Sequence, residues 1–136
     1  MQTNLLGNTG LRVSRLGFGC GSMGGLLVRG QYPAMRATVA LAIEHGITYF
    51  DTASTYGNGQ SEVNLGAILR ELNAGPEIVI GTKARITQPE QLSNIRQTII
   101  DSVEASLRRM GREQIDLIQF HNRSGAERDV DQAQVA

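Results

Sequence analysis

The chain has 136 residues, enough for one domain with a sizeable core, and a single cysteine, Cys20, which excludes an internal disulfide and fits a reducing compartment. Its 13 basic and 13 acidic residues cancel, so the charge gives no reason to expect binding to nucleic acid or to an anionic membrane. No stretch approaches the roughly 18 apolar residues of a membrane span, and residues 1–4 lack the pattern of a secretory signal, so we expect a soluble, cytoplasmic chain.

The N-terminal part is predicted to begin with a β-hairpin. Two short apolar segments flank a Gly/Asn turn, which predicts a hairpin over residues 4–13. Residues 16–18 then predict a short strand that runs into the glycine-rich segment 19–25. A helix is predicted over residues 34–44 and an apolar strand over residues 47–51.

The rest of the chain continues the alternation of helices and strands. In order, the predicted features are a helix over Ser61–Leu72 with Ser61 as N-cap, a buried strand over Ile78–Thr82, a capping box at Thr87 and Glu90, a long helix ended by Gly111, a strand over Ile115–Phe120, and a polar tail over residues 125–136. Strands separated by single helices must run parallel, with right-handed crossovers. Two architectures suit this order, an open doubly wound sheet and an arc of a (β/α)8 barrel.

Both architectures place their chemistry at the carboxyl ends of the strands, where three polar residues stand. Asp51, Lys83 and His121 each follow an apolar strand, and Lys83 is the only lysine of the chain. Tyr56 lies in the loop just after Asp51. We therefore expect these four side chains to meet on one edge of the sheet. Asn122 and Arg123 follow on the same edge, either at a substrate mouth or in a solvated loop.

This combination is suited to delivering a proton to a carbonyl oxygen. A phenol is a weak acid at neutral pH, but a neighbouring ammonium stabilises the phenolate. A carboxylate such as Asp51 would pair with the Lys83 ammonium and fix its position, while His121 would hydrogen-bond the carbonyl. Hydride would have to come from a nicotinamide cofactor, since no side chain supplies one. The competing interpretation is a structural Asp51–Lys83 ion pair with an unrelated tyrosine and histidine.

The glycines of the 19–25 segment offer a second interpretation. Gly19, Gly21 and Gly24 match G-x-G-x-x-G, the fingerprint of a Rossmann dinucleotide site. That motif requires a helix that opens inside it and an acid about 20 residues later, and neither is predicted here. Glycines that let a loop pass close to a ligand, or simple turn residues, explain the segment better. No paired His or Cys spacing predicts a metal site.

At these residues the chain resembles the aldo-keto reductase family. The matching segments are residues 16–23 (LGFGCGSM), residues 46–53 (GITYFDTA) with Tyr56-Gly57 and Ser61-Glu62, residues 81–83 (GTK) and residues 116–121 (DLIQFH). The resemblance implies a (β/α)8 barrel closed at its bottom by the N-terminal hairpin. It implies Tyr56 as proton donor, Lys83 and Asp51 as the pair that tunes it, and His121 as the group that orients the carbonyl.

The resemblance also implies a cofactor and a substrate class. NADPH is the cofactor expected, with NADH as the alternative, and Ser22, Met23 and Asp51 should lie against its nicotinamide and ribose. The substrate should be a small-molecule carbonyl or alcohol.

The predicted elements amount to the first half of such a barrel. A complete barrel of this type has about 250 residues, so residues 1–136 are expected to form a single partial domain, with βα units over residues 16–121. Its exposed edges would favour self-association. Two other functions stay open: a regulatory subunit that binds the cofactor with little turnover, and a fragment without activity of its own.

Overall fold

The computed structural model describes residues 1–21, 23 and 25–122, so the predicted polar tail over residues 125–136 lies outside the described residues. Its elements, in chain order, are β1 (Thr3–Leu5), β2 (Arg12–Ser14), β3 (Phe18–Gly19), α1 (Leu26–Arg29), α2 (Tyr32–Glu44), β4 (Tyr49–Asp51), α3 (Gln60–Glu71), β5 (Val79–Ala84), a 3₁₀ helix (Pro89–Asn94), α4 (Ile95–Met110) and β6 (Leu117–Phe120). Within the described residues, no helix combines the length and the apolar character needed to cross a membrane.

The first two strands form the predicted hairpin, which docks at the N-terminal end of β4. Strands β1 and β2 pair antiparallel, with Thr3 opposite Ser14. The Ser14 backbone N–H donates to Thr48 Oγ1 and the Thr48 backbone N–H donates to Ser14 Oγ, both at 2.9 Å. These reciprocal bonds hold the hairpin at the end of the sheet opposite to the carboxyl ends of the strands. The predicted hairpin is confirmed.

The other four strands form one parallel sheet in the order β3-β4-β5-β6. Gly81 in β5 lies opposite Asp51 on one side and Leu117 on the other. The strands follow the order of the chain, and among the described residues the sheet has no reversal of the kind that marks a doubly wound fold. The predicted α/β fold is therefore confirmed as an arc of a (β/α)8 barrel.

Alternation along the strands gives the sheet one apolar and one polar face. Phe50 and Ile80 are fully buried in the core that the sheet shares with α3, where they pack with residues such as Leu65. Successive side chains point to opposite faces, so Tyr49 and Asp51 lie on the face away from the helices, which we call the inner face. All six residues of β5 are buried, which confirms the prediction of a strand buried on both sides.

The helix that follows β4 begins before the predicted N-cap. Ser61 is not the N-cap of α3, because Gly59 precedes the helix with a φ of 88° and Gln60 is its first residue. Ser61 is buried, and its hydroxyl donates to the Cys20 carbonyl at 2.9 Å. The Ser61 hydroxyl therefore makes a tertiary hydrogen bond instead of the helix-capping bond that the sequence predicts.

The predicted capping box is displaced by one residue. Gln88 and Gln91 form it, with the Gln88 backbone N–H donating to Gln91 Oε1 at 2.9 Å, so the prediction of Thr87 and Glu90 is wrong. Gln88 has extended backbone angles and directly precedes Pro89, which fits the first position of a helical turn. The box begins the 3₁₀ helix that leads into α4, and α4 ends at the predicted Gly111 in left-handed conformation.

Close contact between α3 and α4 depends on Gly66. A Cβ added at Gly66 would lie 2.6 Å from the Met110 Cα and still closer to the Met110 carbonyl oxygen. We expect Gly66→Ala to force the helices apart and to lower the free energy of unfolding by about 1–3 kcal/mol. Urea denaturation checks this. Gly19→Ala is the control, because a Cβ at Gly19 meets nothing within 4 Å, and an equal loss in both variants would contradict the explanation.

Candidate active site

An ion pair between Asp51 and Lys83 stands at the carboxyl ends of β4 and β5. Lys83 Nζ contacts Asp51 Oδ1 and also donates to the Thr52 carbonyl at 2.9 Å. The lysine side chain is 10% exposed and that of the aspartate 31%. Burial of an ammonium is costly unless it is paired, and here the carboxylate and the carbonyl together hold it in one place. The predicted pairing of these two residues is present.

The ring of Tyr56 lies beside the Lys83 ammonium. Lys83 Nζ is 5.0 Å from the centroid of the Tyr56 ring. A Cβ added at Gly21 would lie 3.8 Å from two carbons of the same ring, so the loop after β3 passes against the tyrosine at a residue without a side chain. Tyr56 is held in the loop by its backbone N–H, which donates to the Ala53 carbonyl at 3.1 Å. The tyrosine ring is therefore close to both the glycine-rich loop and the lysine.

His121 completes the group at the end of β6. Its ring meets the Tyr56 ring edge to face, with centroids 6.0 Å apart and an interplanar angle of 86°. Its backbone N–H donates to the Ala84 carbonyl at 2.9 Å, which extends the β5–β6 pairing by one bond. His121 Nδ1 lies 3.4 Å from Thr55 Oγ1. The structure thus brings together all four predicted residues, Asp51, Tyr56, Lys83 and His121.

The surroundings of His121 favour its neutral form. Burial, together with the positive charges of Lys83 and Arg85, lowers the pKa of His121 below its ordinary value of 6.5, against the opposing effect of Asp51. A neutral imidazole has one N–H donor and one acceptor nitrogen. At neutral pH this side chain is therefore available as a single hydrogen-bond donor.

The lowered pKa predicts a pH-dependent loss of stability. In the window between the lowered pKa and 6.5, the unfolded chain binds a proton at His121 that the folded chain does not. Stability should therefore fall as the pH drops through this window. We expect urea unfolding at about pH 7.5 and about pH 5.5 to show a larger loss for the unchanged protein than for His121→Gln. His45 is present in both proteins and cancels. Equal losses would contradict the prediction.

The loop after β3 contains the other predicted cofactor contacts. Met23 is fully exposed there, whereas Ser22 lies outside the described residues. Cys20, just before this loop, is buried, and burial raises the pKa of its thiol to about 12, with a further contribution from the Asp51 charge and an opposing one from Lys83. Cys20 is therefore an unreactive thiol.

Asn122 connects two loops on this edge of the sheet, while Arg123 lies outside the described residues. Its side chain accepts from the Ile86 N–H at 2.9 Å and donates to the Ile86 carbonyl at 2.8 Å, in the manner of a further pair of strand residues. This contact fastens the loop after β5 to the end of β6. Among the described residues, no three His, Cys, Asp or Glu side chains converge in a way that could hold a metal ion.

Sequence reasoning missed two further residues of the inner face, Tyr49 and Gln119. Tyr49 OH lies 3.3 Å and Gln119 Nε2 3.1 Å from Asp51 Oδ2. Each is a polar residue within an otherwise apolar strand, two positions before Asp51 or His121. Period-two alternation places them on the same face as the predicted site residues, which is the signal that could have identified them.

Comparison with known proteins identifies related sequences. Residues 15–133 match the sequence model of the Aldo/keto reductase family. The chain is 33% identical over 126 residues to "Aldo-keto reductase YhdN" of Bacillus subtilis, covering 89% of this chain and 38% of that protein. It is 32% identical over 124 residues to "Probable voltage-gated potassium channel subunit beta" of Arabidopsis thaliana, covering 89% of this chain and 37% of that protein. The chain thus spans less than two-fifths of either relative.

Solved structures agree with this match. The aldo-keto reductase AKR11C1 from Bacillus halodurans, in its holo form, superimposes with a TM-score of 0.74 at 29% identity, over 91% of this chain and 41% of that one. An aldo-keto reductase from Klebsiella pneumoniae in complex with NADPH gives a TM-score of 0.64 at 25% identity, over 84% of this chain and 37% of that one. This chain therefore matches less than half of the length of each of these two neighbours.

Proposed function

The chain belongs to the aldo/keto reductase family, and from this membership we propose that it carries the proton-donor site of an NAD(P)H-dependent oxidoreductase that interconverts a carbonyl and an alcohol. One observation carries the proposal: the Tyr56 ring lies close to both the Lys83 ammonium, 5.0 Å from its centroid, and the His121 ring, whose centroid is 6.0 Å away. A phenol beside a cation and an imidazole can serve as a general acid toward a neighbouring oxygen.

In this proposal Tyr56 is the general acid. Its hydroxyl donates a proton to the carbonyl oxygen, and the phenolate that remains is stabilised by the Lys83 ammonium beside the ring. Asp51 holds that ammonium in place through the ion pair. In the reverse direction the phenolate accepts the proton of the alcohol, so the same residues serve oxidation.

His121 orients the carbonyl. Its neutral ring donates one hydrogen bond, and Nδ1 lies near the Thr55 hydroxyl. If Nδ1 accepts from Thr55, the proton stands on Nε2, where it can bind the substrate oxygen. A charged imidazolium would compete with Tyr56 as the proton source, so the lowered pKa of His121 keeps the two roles separate.

The residues on this edge fit a nicotinamide cofactor, NADPH in our proposal, with NADH as the alternative. Met23 offers an exposed apolar side chain, and Gly21 brings the loop close to the Tyr56 ring without a side chain of its own. Ser22 and Asp51 would hold the polar groups of the ribose. When bound, the nicotinamide would supply the hydride that no side chain carries. The solved neighbour in complex with NADPH supports the choice of cofactor.

A fluorescence titration with NADPH tests the proposal on the 136-residue chain. Saturable binding in roughly the micromolar range would support a working cofactor site, and a carbonyl-dependent loss of NADPH absorbance would then demonstrate turnover. Lys83→Met should abolish turnover, whereas Arg36→Met, which removes an exposed cation paired to Glu71, should not. Absence of binding at millimolar NADPH would count against a site within this chain.

A second candidate is a cofactor-binding regulatory subunit with little turnover. The Arabidopsis thaliana relative named as a potassium channel subunit favours it. The presence of all four site residues favours the enzyme, and the absorbance assay distinguishes the two, because a regulatory subunit would bind NADPH without consuming it.

We also keep, as predictions, a cytoplasmic location and self-association through β3 and β6, the end strands of the sheet in the described chain.

A further inference from the structure

Two donors approach one oxygen of the Asp51 carboxylate. The Tyr49 hydroxyl donates to Oδ2 at 3.3 Å and Gln119 Nε2 donates to the same oxygen at 3.1 Å. The Gln119 amide also lies 3.5 Å from the Tyr49 hydroxyl oxygen, so the two donors contact each other. Lys83 binds the other carboxylate oxygen, Oδ1. The two oxygens of Asp51 therefore have separate sets of partners.

The position of Tyr49 depends on Gly17, just before β3, and on Gly81 in β5. A Cβ added at Gly17 would lie 2.8 Å from Tyr49 Cδ1, and one at Gly81 would lie 2.6 Å from the Tyr49 hydroxyl oxygen. Any side chain at either position would push the ring away from the sheet. The absence of both Cβ atoms lets the ring lie across the inner face, with its hydroxyl beside Asp51. The Tyr49 ring thus lies in a slot that is open because positions 17 and 81 have no side chain.

Tyr49 is a donor at every pH at which the proposed reaction would run. Burial, the Asp51 charge and the hydrogen bond to Asp51 all raise the pKa of Tyr49 above its ordinary value of 10.0, against an opposing hydrogen bond from Gln119. The phenol therefore keeps its proton and does not serve as an acid. The Gln119 amide has no titration of its own and donates throughout.

An aspartate needs such contacts if its carboxylate is to keep one orientation. The terminal torsion of Asp is broad and roughly two-fold, so an ion pair through one oxygen alone leaves the group free to turn. Two donors on Oδ2 select one orientation and direct Oδ1 towards Lys83. Since Lys83 lies beside the Tyr56 ring, the orientation of Asp51 also sets where the ammonium stands.

We propose that Tyr49 and Gln119 form a two-donor clamp that fixes the Asp51 carboxylate and, through it, the Lys83 ammonium beside Tyr56. They are positioning residues, and their relevance to turnover rests on the proposed function. The contacts themselves do not, so the clamp can be tested without an activity assay.

Lys83 is the reporter for this test because it is the only lysine of the chain. Protein labelled with [15Nζ]-lysine should give a single ammonium signal in NMR spectra. We expect Tyr49→Phe, which keeps the ring in its slot, and Gln119→Met each to raise the rate of ammonium proton exchange with water by about 10-fold, the factor typical of losing one hydrogen bond to a charged group. The double variant should lose ordering of the ammonium further.

Two remote variants provide matched controls. Tyr32→Phe removes a phenol that donates to Glu71 at 2.8 Å, and Gln97→Met removes an amide that donates to Asp101 at 2.8 Å. Both delete the same donor chemistry to a carboxylate, away from the site, and should leave the Lys83 signal unchanged. A merely structural role of Tyr49 and Gln119 would lower the free energy of unfolding without altering the Lys83 signal of the folded protein, and that result would overturn the clamp.

Steady-state kinetics separate this proposal from the proposed function. If the chain reduces a carbonyl, the clamp variants should lower kcat by about 10-fold with little change in the Kd for NADPH. A changed Lys83 signal in a protein that consumes no NADPH would support the clamp and refute the enzyme. An unchanged signal with a lowered kcat would support the enzyme and refute the clamp.

Discussion

Tyr56→Phe should lower kcat for carbonyl reduction by about 10²–10⁴-fold, the usual contribution of a general acid. The substitution removes one oxygen and keeps the ring, so the edge-to-face contact with His121 and the proximity to Lys83 can persist. Without the hydroxyl, His121 is a poor substitute as the proton source, since burial and the charges of Lys83 and Arg85 lower its pKa and favour its neutral form. The Kd for NADPH should stay nearly unchanged, because the proposed cofactor contacts come from other residues.

Two measurements on the same preparations check this expectation: kcat from NADPH absorbance and Kd from NADPH fluorescence. Tyr32→Phe is the control, because it removes a surface phenol bonded to Glu71 and should leave both values unchanged. A loss of cofactor affinity as large as the loss of rate would assign Tyr56 to binding and would refute its role as proton donor. A rate within a few-fold of the unchanged protein would refute it as well.

Three residues of the site could be predicted because each stands at the end of a predicted strand. Asp51, Lys83 and His121 each follow an apolar run, and the carboxyl ends of parallel strands must lie at one edge of the sheet. The parallel direction of the strands is sufficient for that inference. The register then brings Lys83 opposite Gln119, with Gly81 opposite Asp51.

The clamp on Asp51 depends on that register and could not be found in the same way. Tyr49 and Gln119 lie 70 residues apart in the chain and meet only because β4 and β6 both flank β5. A polar residue within a strand indicates that one face of the sheet is polar, but it does not show which residue of another strand it contacts. The glycines at positions 17 and 81, which make room for the ring, are equally uninformative until the strands are aligned.

Helix starts were predicted less well, because local and tertiary contacts compete for the same side chains. A serine at position 61 satisfies the rule for an N-cap, yet the Cys20 carbonyl and the Thr52 hydroxyl bind it inside the core. Helix α2 begins two residues before the predicted start, since Pro33 is tolerated in a first turn. The four-residue α1 is too short to show any periodicity.

Arg109 is the clearest case of a role that only the structure reveals. Grouped with Arg108 and Arg112, it is typical of a helix C-terminus that complements the helix dipole. Its Nε instead donates to Glu62 Oε2 at 2.5 Å, and the Glu62 side chain is fully buried. The other carboxylate oxygen accepts from the Thr82 hydroxyl at 2.5 Å. This network joins α3, α4 and β5, and its β5 member, Thr82, directly precedes Lys83 in the chain.

Arg109→Met should therefore destabilise the fold by about 3–5 kcal/mol, because it leaves the Glu62 carboxylate buried without its cation. The methionine retains part of the apolar stem that passes Gly59, where an added Cβ would lie 2.8 Å from Arg109 Nε. Loss of packing is thus kept small. Urea denaturation gives the free energy of unfolding for each variant.

Arg108→Met is the matched control for this prediction. Arg108 is the neighbouring residue on the same helix, and its ion pair with Glu104 is exposed, with side chains 70% and 57% accessible. Such pairs contribute little, so the loss should stay within about 0.5 kcal/mol. The double variant Glu62→Leu with Arg109→Met should be more stable than Arg109→Met alone, since it removes the buried charge together with its partner. If the two arginine variants lose equal stability, or if the double variant is the least stable of all, the cost does not come from the unpaired Glu62 carboxylate and the buried pair is not what holds α3 and α4 to β5.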